Sequence, residues 1–300
     1  NRNMNERQVG LLGATSLTGQ CLIRHLIQND WRVTAFSRQS VTQDALLHRQ
    51  ISWQQLDRNK IGAVSGGIPN WICAAPIWIL PGYFDFLAAH GARRIVALSS
   101  TSRFTKDTSS DPHEREIAQK LAHSEILLQT WASAHAVECV ILRPTLIYGY
   151  GRDRNITEIA KFIRRFGFFP LLGGATGLRQ PIHVEDVALA CFFALSAFNL
   201  KNRSYNLAGG ETLPYRDMVK RIFEKLDRQP RMPTIPLWLF QLAVRGIGCL
   251  PRYRHLTLAM AERMNRDLQF DYSDARRDLH FSPRPFNLTT EDLYGANEQN

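Results

Sequence analysis

Short apolar runs alternate with amphipathic stretches through the first half of the chain. Val9–Leu12 reads as a strand, and Leu22, Ile23, Leu26 and Ile27 recur at helical spacing within Leu17–Gln28. Trp31–Phe36 is a second strand, with Val33 and Ala35 alternating, and Ile51–Gln55 and Trp71–Ala75 are a third and fourth. Pro81–His90 reads as a helix ending at Gly91, and Arg94–Leu98 as a fifth strand. Asp111 and Pro112 then supply an N-cap and a first-turn proline for a long helix running to about Ala134. Val137–Leu142 is a sixth strand. Repeated strand and helix in this order predict an α/β protein, a parallel sheet with helices on both faces.

The second half is less regular. Ile156–Arg165 and Val184–Ser196 read as helices, the second opened by Glu185 and Asp186. Residues 166–177 form a loop rich in glycine and aromatics, and Gln180–His183 and Ser204–Leu207 are short strands. Residues 211–226 form a helix, followed by a link carrying Pro230, Pro233 and Pro236. The pattern predicts a sheet domain over 8–150 and 182–208, with a smaller cap over 151–181 and 209–300.

Composition narrows the class. A chain of 300 residues, 44% hydrophobic and 21% charged, is ordinary for a globular protein with a full core. Five scattered cysteines, with no C-x-x-C pair or Cys/His cluster, indicate neither a zinc site nor a disulfide framework. The polar start offers no signal peptide, so a reducing, cytoplasmic setting is expected. The formal charge of +10 is spread over both halves without a basic run. That suits an anionic ligand or a membrane surface and argues against a nucleic-acid face. The stretch Ile235–Leu250 is too short and too polar to span a bilayer. It reads first as a buried or lid helix and second as a peripheral membrane or protein contact.

Candidate chemistry begins at the first turn. Gly13-Ala-Thr-Ser-Leu-Thr-Gly19 joins the first strand to the first helix, so backbone N–H groups and the helix dipole converge where a phosphate fits. The spacing is not G-x-G-x-x-G, because Ser16 stands at the middle-glycine position. A plain strand–turn–helix of small residues is the simpler alternative.

Four segments together resemble the extended short-chain dehydrogenase/reductase family, in its NAD-dependent epimerase/dehydratase branch and including atypical members. They are Gly13–Gly19, Ala97-Leu-Ser-Ser-Thr-Ser102, Leu142-Arg-Pro-Thr-Leu-Ile-Tyr-Gly149 and Arg179-Gln-Pro-Ile-His-Val-Glu-Asp-Val187. The resemblance covers about residues 8 to 285 and implies a Rossmann-type, doubly wound parallel sheet with a mainly C-terminal substrate cap. It implies a nicotinamide dinucleotide held by Gly13, Thr15, Ser16, Leu17 and Gly19, with Asp57 near the adenine and Ala74, Ala75 and Pro144 along the cofactor. No acid ends the second strand. Ser37 and Arg38 stand there instead, which favours NADP over NAD because a guanidinium and a hydroxyl suit a 2′-phosphate. The resemblance further gives Thr101 a catalytic role on the substrate oxygen, and Tyr148 and Arg179 a place on an anionic, nucleotide-sugar-like substrate. A homodimer through the long helices would be usual for the family.

One element departs from the family. The long helix carries no Tyr-x-x-x-Lys, the pair that moves the proton in these enzymes. Matching the lysine aligns Glu116-x-x-x-Lys120, which retains Lys120 as a catalytic candidate. Matching the downstream Glu125 aligns Ile117-x-x-x-Leu121, which abolishes the pair. Two functions follow: an NADP(H)-dependent oxidoreductase or epimerase-like enzyme, or a catalytically silent dinucleotide-binding sensor, assembly factor or subunit.

Overall fold

The computed structural model describes residues 7–38, 50–56, 67–197, 200, 202–247 and 258–294. Asp57 lies outside them. Seven strands form the central sheet: β1 (Gln8–Leu12), β2 (Arg32–Ser37), β3 (Ile51–Gln55), β4 (Asn70–Cys73), β5 (Arg94–Leu98), β6 (Glu138–Pro144) and β11 (Arg203–Leu207). Their order across the sheet is β11-β6-β5-β4-β1-β2-β3, and every pairing is parallel. This is the doubly wound sheet expected, with its order reversing between β1 and β4.

Helices cover both faces. On one lie α1 (Leu17–Gln28) and α6 (Val184–Ser196), whose Leu22, Leu26, Val187 and Cys191 pack with Val9, Leu11 and Val140 of the sheet. On the other lie α2 (Phe84–Ala89) and the long α4 (Pro112–Ala134), over Leu12, Trp71 and Ile141. Phe84 stacks on Trp131 at 4.8 Å between ring centres, which ties α2 to α4. A four-residue helix α3 (Ser102–Thr105) leads from β5 into α4.

A second body of packing, around Ile159, Ile163, Met218, Ile222, Phe223 and Phe286, forms the cap. It holds α5 (Ile156–Phe166), α7 (Tyr215–Lys225), α8 (Leu237–Ile247), α9 (Leu258–Asn265) and α11 (Thr290–Tyr294). Three small ladders brace it: β7 (Ile147–Tyr148) with β10 (Ile182–His183), β9 (Leu178–Arg179) with β12 (Leu213–Pro214), and β8 (Leu171–Leu172) with β13 (Thr234–Ile235). Within the stretch expected to belong to the cap, α10 (Ser273–Leu279) instead packs on the sheet side, where Ala275 and Leu279 join the cluster of β11 and α6.

Several expectations are corrected. The helix expected over Pro81–His90 is a 3-10 turn over Ile77–Tyr83 followed by α2. Pro81 lies inside that turn, and without an N–H it cannot continue an α-helical ladder. The strand expected over Gln180–His183 is shortened to β10, with β9 ending just before it at Arg179, and the helix expected from 211 starts at Tyr215 because Leu213–Pro214 pairs with β9. The loop at 166–177 contains β8, paired with a partner some sixty residues away. Helix α8 is not a buried helix. Phe240 enters the cap core, while Leu237, Trp238, Leu239 and Leu242 are exposed.

Candidate functional site

The sheet order sets the site. The C-terminal ends of β2, β1, β4, β5 and β6 stand side by side, and ligands of open parallel sheets bind beyond such ends, where the order reverses. Along this edge lie, in turn, Ser37 and Arg38, the Gly13 turn, Ala74 and Ala75, Ser99 to Thr101, and Arg143 to Pro144.

The Gly13 turn is built closely. Gly13 has φ +76, and a Cβ there would lie 2.4 Å from the backbone nitrogen of Ala75. At Gly19 a Cβ would lie 2.2 Å from the carbonyl oxygen of Gly13, so α1 can approach the turn only through a glycine. Ser16 is the N-cap of α1: its hydroxyl accepts from the Gly19 N–H at 3.0 Å and donates to the Ala74 carbonyl at 3.3 Å. That hydroxyl therefore joins the ends of β1 and β4. Thr15 is exposed and Leu17 half-buried at the same turn. A positive-φ glycine, a tightly packed second glycine and the N-terminus of a three-turn helix at a strand end fit a dinucleotide pyrophosphate. Arg38 is exposed at the end of β2, and its carbonyl accepts from Gln55.

Beside this edge a cleft of about 570 Å³ opens between sheet and cap. Thr101, buried at the end of β5, lines it, and its hydroxyl donates to the Pro144 carbonyl at 3.3 Å. Lys106, Arg154, Arg179 and Arg263 bring positive charge to the walls, against Glu114 and Glu158. Arg179 is almost fully buried. Its guanidinium donates to the carbonyls of Leu178, Arg263 and Arg266 and lies over the Tyr215 ring. Burial lowers its pKa to about 10, partly offset by Tyr215 and Asp267. Arg263 of α9 pairs with Glu114 of α4 across the cleft. Burial, and then the neighbouring charge of Arg263, lower the pKa of Lys106. Sequence reading missed Lys106 and Arg263, because only folding brings α3 and α9 together. A larger, shallower hollow of about 1010 Å³, lined by Arg7, Trp31, Asn70 and Arg94, lies at the opposite ends of the strands.

Helix α4 carries the residues of both alignments of the missing pair. Leu121 is buried in the cluster on the sheet face and Ile117 packs against it. Lys120 faces outward, exposed, with its ammonium 5.7 Å from the Trp78 ring centre. Lys120 is therefore corrected: it takes the exposed face of α4, beside Trp78, and does not line the cleft. One turn on, Glu125 is fully buried. It accepts from Ser99 and Arg103, and from Arg143 at 3.0 and 2.6 Å. Burial alone would raise its pKa, but the arginines and Ser99 outweigh it and hold the carboxyl below its ordinary value.

Tyr148 is a second correction. It is fully buried, edge-on to His183 and Phe286, and does not line the cleft, whereas its neighbours Leu146 and Ile147 do. A two-residue strand alternates its faces, and Tyr148 takes the inner one. His183 caps α6 through the Glu185 N–H and meets Asp292 at 2.9 Å, and Asp186 is held by Arg284. Both residues serve the fold.

Comparison with known proteins agrees with this build. Residues 84–208 match the model of the NAD dependent epimerase/dehydratase family. The chain is 27% identical over 231 residues to the uncharacterized protein y4nG of Sinorhizobium fredii, covering 71% of this chain and 56% of that protein. It is 30% identical over 100 residues to NADH dehydrogenase (ubiquinone) 1 alpha subcomplex subunit 9, mitochondrial, of Arabidopsis thaliana, covering 33% of this chain and 25% of that one. The matches thus span little more than half of one curated relative and a quarter of the other. In fold, the chain is similar to a UDP-glucuronic acid 4-epimerase from Bacillus cereus in complex with NAD, at a TM-score of 0.71, 13% identity and 95% coverage of each chain. The strand order, the glycine turn, the strand-end hydroxyls and the matched segment converge: the chain resembles the NAD dependent epimerase/dehydratase family, whose model matches residues 84–208, and it has the Rossmann-like fold of solved epimerases.

Proposed function

We propose that the protein binds NADP(H) along the C-terminal ends of β2, β1 and β4, and that it reduces or epimerises an anionic, nucleotide-sugar-like substrate in the adjoining cleft. The observation that carries this reading is the cleft itself, where the buried Thr101 hydroxyl shares walls with Lys106, Arg179 and Arg263. Bound along those strand ends, the dinucleotide would supply or accept the hydride. Thr101 hydrogen-bonds the reacting oxygen, and Lys106, whose burial eases loss of its proton, gives or takes the proton that α4 cannot. Arg179 and Arg263 answer a diphosphate. Ser37 and Arg38 favour the 2′-phosphate of NADP over NAD. The sheet part, 8–150 with 182–208, serves the cofactor, and the cap selects the substrate.

The test pairs binding with turnover. NADPH and NADH are titrated by fluorescence, then cofactor oxidation is followed on a panel of UDP-sugars and simple carbonyls. Turnover lost in Thr101→Ala and Lys106→Met, with NADPH binding kept, supports the enzyme.

A second reading has its own observation. Ile117 and Leu121, which the alignment on Glu125 gives to the proton-moving pair, pack into the sheet cluster. A silent dinucleotide-binding subunit or assembly factor would look the same, and one relative is named as a subunit of a larger enzyme. Tight NADPH binding with no turnover on any of the panel, and no effect of Lys106→Met, would favour it.

A further inference from the structure

Helix α8 presents an apolar face that the cap does not cover. Phe240 is buried and Val244 packs beside it, so the opposite face, Trp238 and Leu242, points outward at 63% and 56% exposure. Leu237 and Leu239 flank it at 40% and 46%. The β8–β13 ladder, extended by the Phe169 N–H to the Arg231 carbonyl, joins this helix to the turn after α5, where Phe166 and Phe168 are also exposed.

The sequence that carries this surface is basic. From Arg228 to Ile247 it contains no Asp or Glu and carries Arg228, Arg231 and Arg245. From Ile159 to Val184 it again contains none, with Lys161, Arg164, Arg165 and Arg179. Arg165, Arg231 and Arg245 are exposed. Exposed Trp, Phe and Leu rimmed by arginine are the composition of an interfacial helix. Eleven residues rise about 16 Å, well short of the roughly 30 Å hydrocarbon core, and among the described residues no helix is long and apolar enough to cross a membrane. Such a helix lies in the interface. A second copy of the chain is disfavoured as the occupant, because a symmetric contact would bring like arginine rims together.

We propose that α8 and the Phe166–Phe168 turn seat the cap on an anionic lipid bilayer, with Trp238 and Leu242 inserted at headgroup level and Arg231 and Arg245 against the lipid charge. This proposal is independent of the reading of the cleft.

Sedimentation of the full chain with vesicles tests it. Vesicles of phosphatidylcholine mixed with phosphatidylglycerol should carry the protein down, raised salt should release it, and vesicles of phosphatidylcholine alone should bind much less. Arg231→Gln and Arg245→Gln should each weaken binding by about fivefold. Trp238→Ser with Leu242→Ser should abolish it while the thermal midpoint and circular dichroism stay as in the parent chain, since both side chains are exposed. Three results would overturn the proposal: no binding to the anionic vesicles, equal binding to both kinds, or a concentration-dependent dimer that the Trp238/Leu242 variant loses.

Discussion

Ser16 occupies a position where a glycine would leave more room for a pyrophosphate, and its hydroxyl is held within the fold. It caps α1 and reaches the Ala74 carbonyl, so Ser16→Ala should cost about 1 kcal/mol in chemical denaturation. Gly19→Ala should be worse, by about 1–3 kcal/mol, because its methyl would meet the Gly13 carbonyl and neither backbone can yield without moving the turn. NADPH titration of the folded fraction of that variant should also show weakened binding. The glycines, the strand-end hydroxyls and Arg38 were legible because each is tied to a strand end the apolar pattern defines. Lys120 and Tyr148 were not. Their chemistry is visible in sequence, but the face they take depends on which neighbour the helix or strand buries, and here Leu121 and the cap core decide it.

At the scale of elements, two carboxylates tie separate elements together: Glu125, fully buried, holds α4 to the strand ends, and Glu185, half-buried, holds α6 to α1. Glu125→Leu would leave Arg103 and Arg143 facing an apolar side chain. Both arginines keep some solvent, so the loss should fall near the lower end for broken buried pairs, about 3 kcal/mol. Glu185 joins α6 to α1 through Arg24 and His25, and to the Tyr150 hydroxyl at 2.6 Å. Burial raises its pKa, but these partners outweigh it and hold it at about 2, against an ordinary 4.5. Between those values the unfolded chain binds the proton and the folded one does not, so stability rises with pH across the window and is lost as pH falls through it. Thermal midpoints of the parent chain should drop from about pH 4.5 downward, and Glu185→Gln should flatten that slope. Long elements were the readable ones. Asp111 and Pro112 announce α4, which begins at Pro112 and ends at Ala134 as expected. The paired dipeptides of the cap have no periodicity to read, because two residues gain their strand character only from a distant partner.

Over the whole molecule, the sheet presents its ligand edge to a cap assembled from stretches that elements of the sheet domain separate in sequence. The cleft between them therefore mixes residues that sequence order keeps apart, such as Thr101, Lys106, Arg179 and Arg263. Arg179 illustrates the design: carbonyls and an aromatic face hold a nearly buried guanidinium that forms no ion pair among the described residues, so an anion in the cleft would meet an already oriented partner. Arg179→Lys should thus weaken an anionic substrate without altering dinucleotide affinity, checked by parallel titrations with UDP and NADPH. We propose that the strand-end row from Arg38 to Ala75 holds a nicotinamide dinucleotide and prefers its 2′-phosphate form. Calorimetric titration of the parent chain and Arg38→Ala with NADPH and NADH tests it most directly. NADPH should bind the parent chain more tightly than NADH, and Arg38→Ala should lose roughly ten- to a hundredfold for NADPH alone, the worth of about 1.5–3 kcal/mol in charge-assisted hydrogen bonds. Binding of neither nucleotide, or a preference for NADH that Arg38→Ala leaves unchanged, would contradict it.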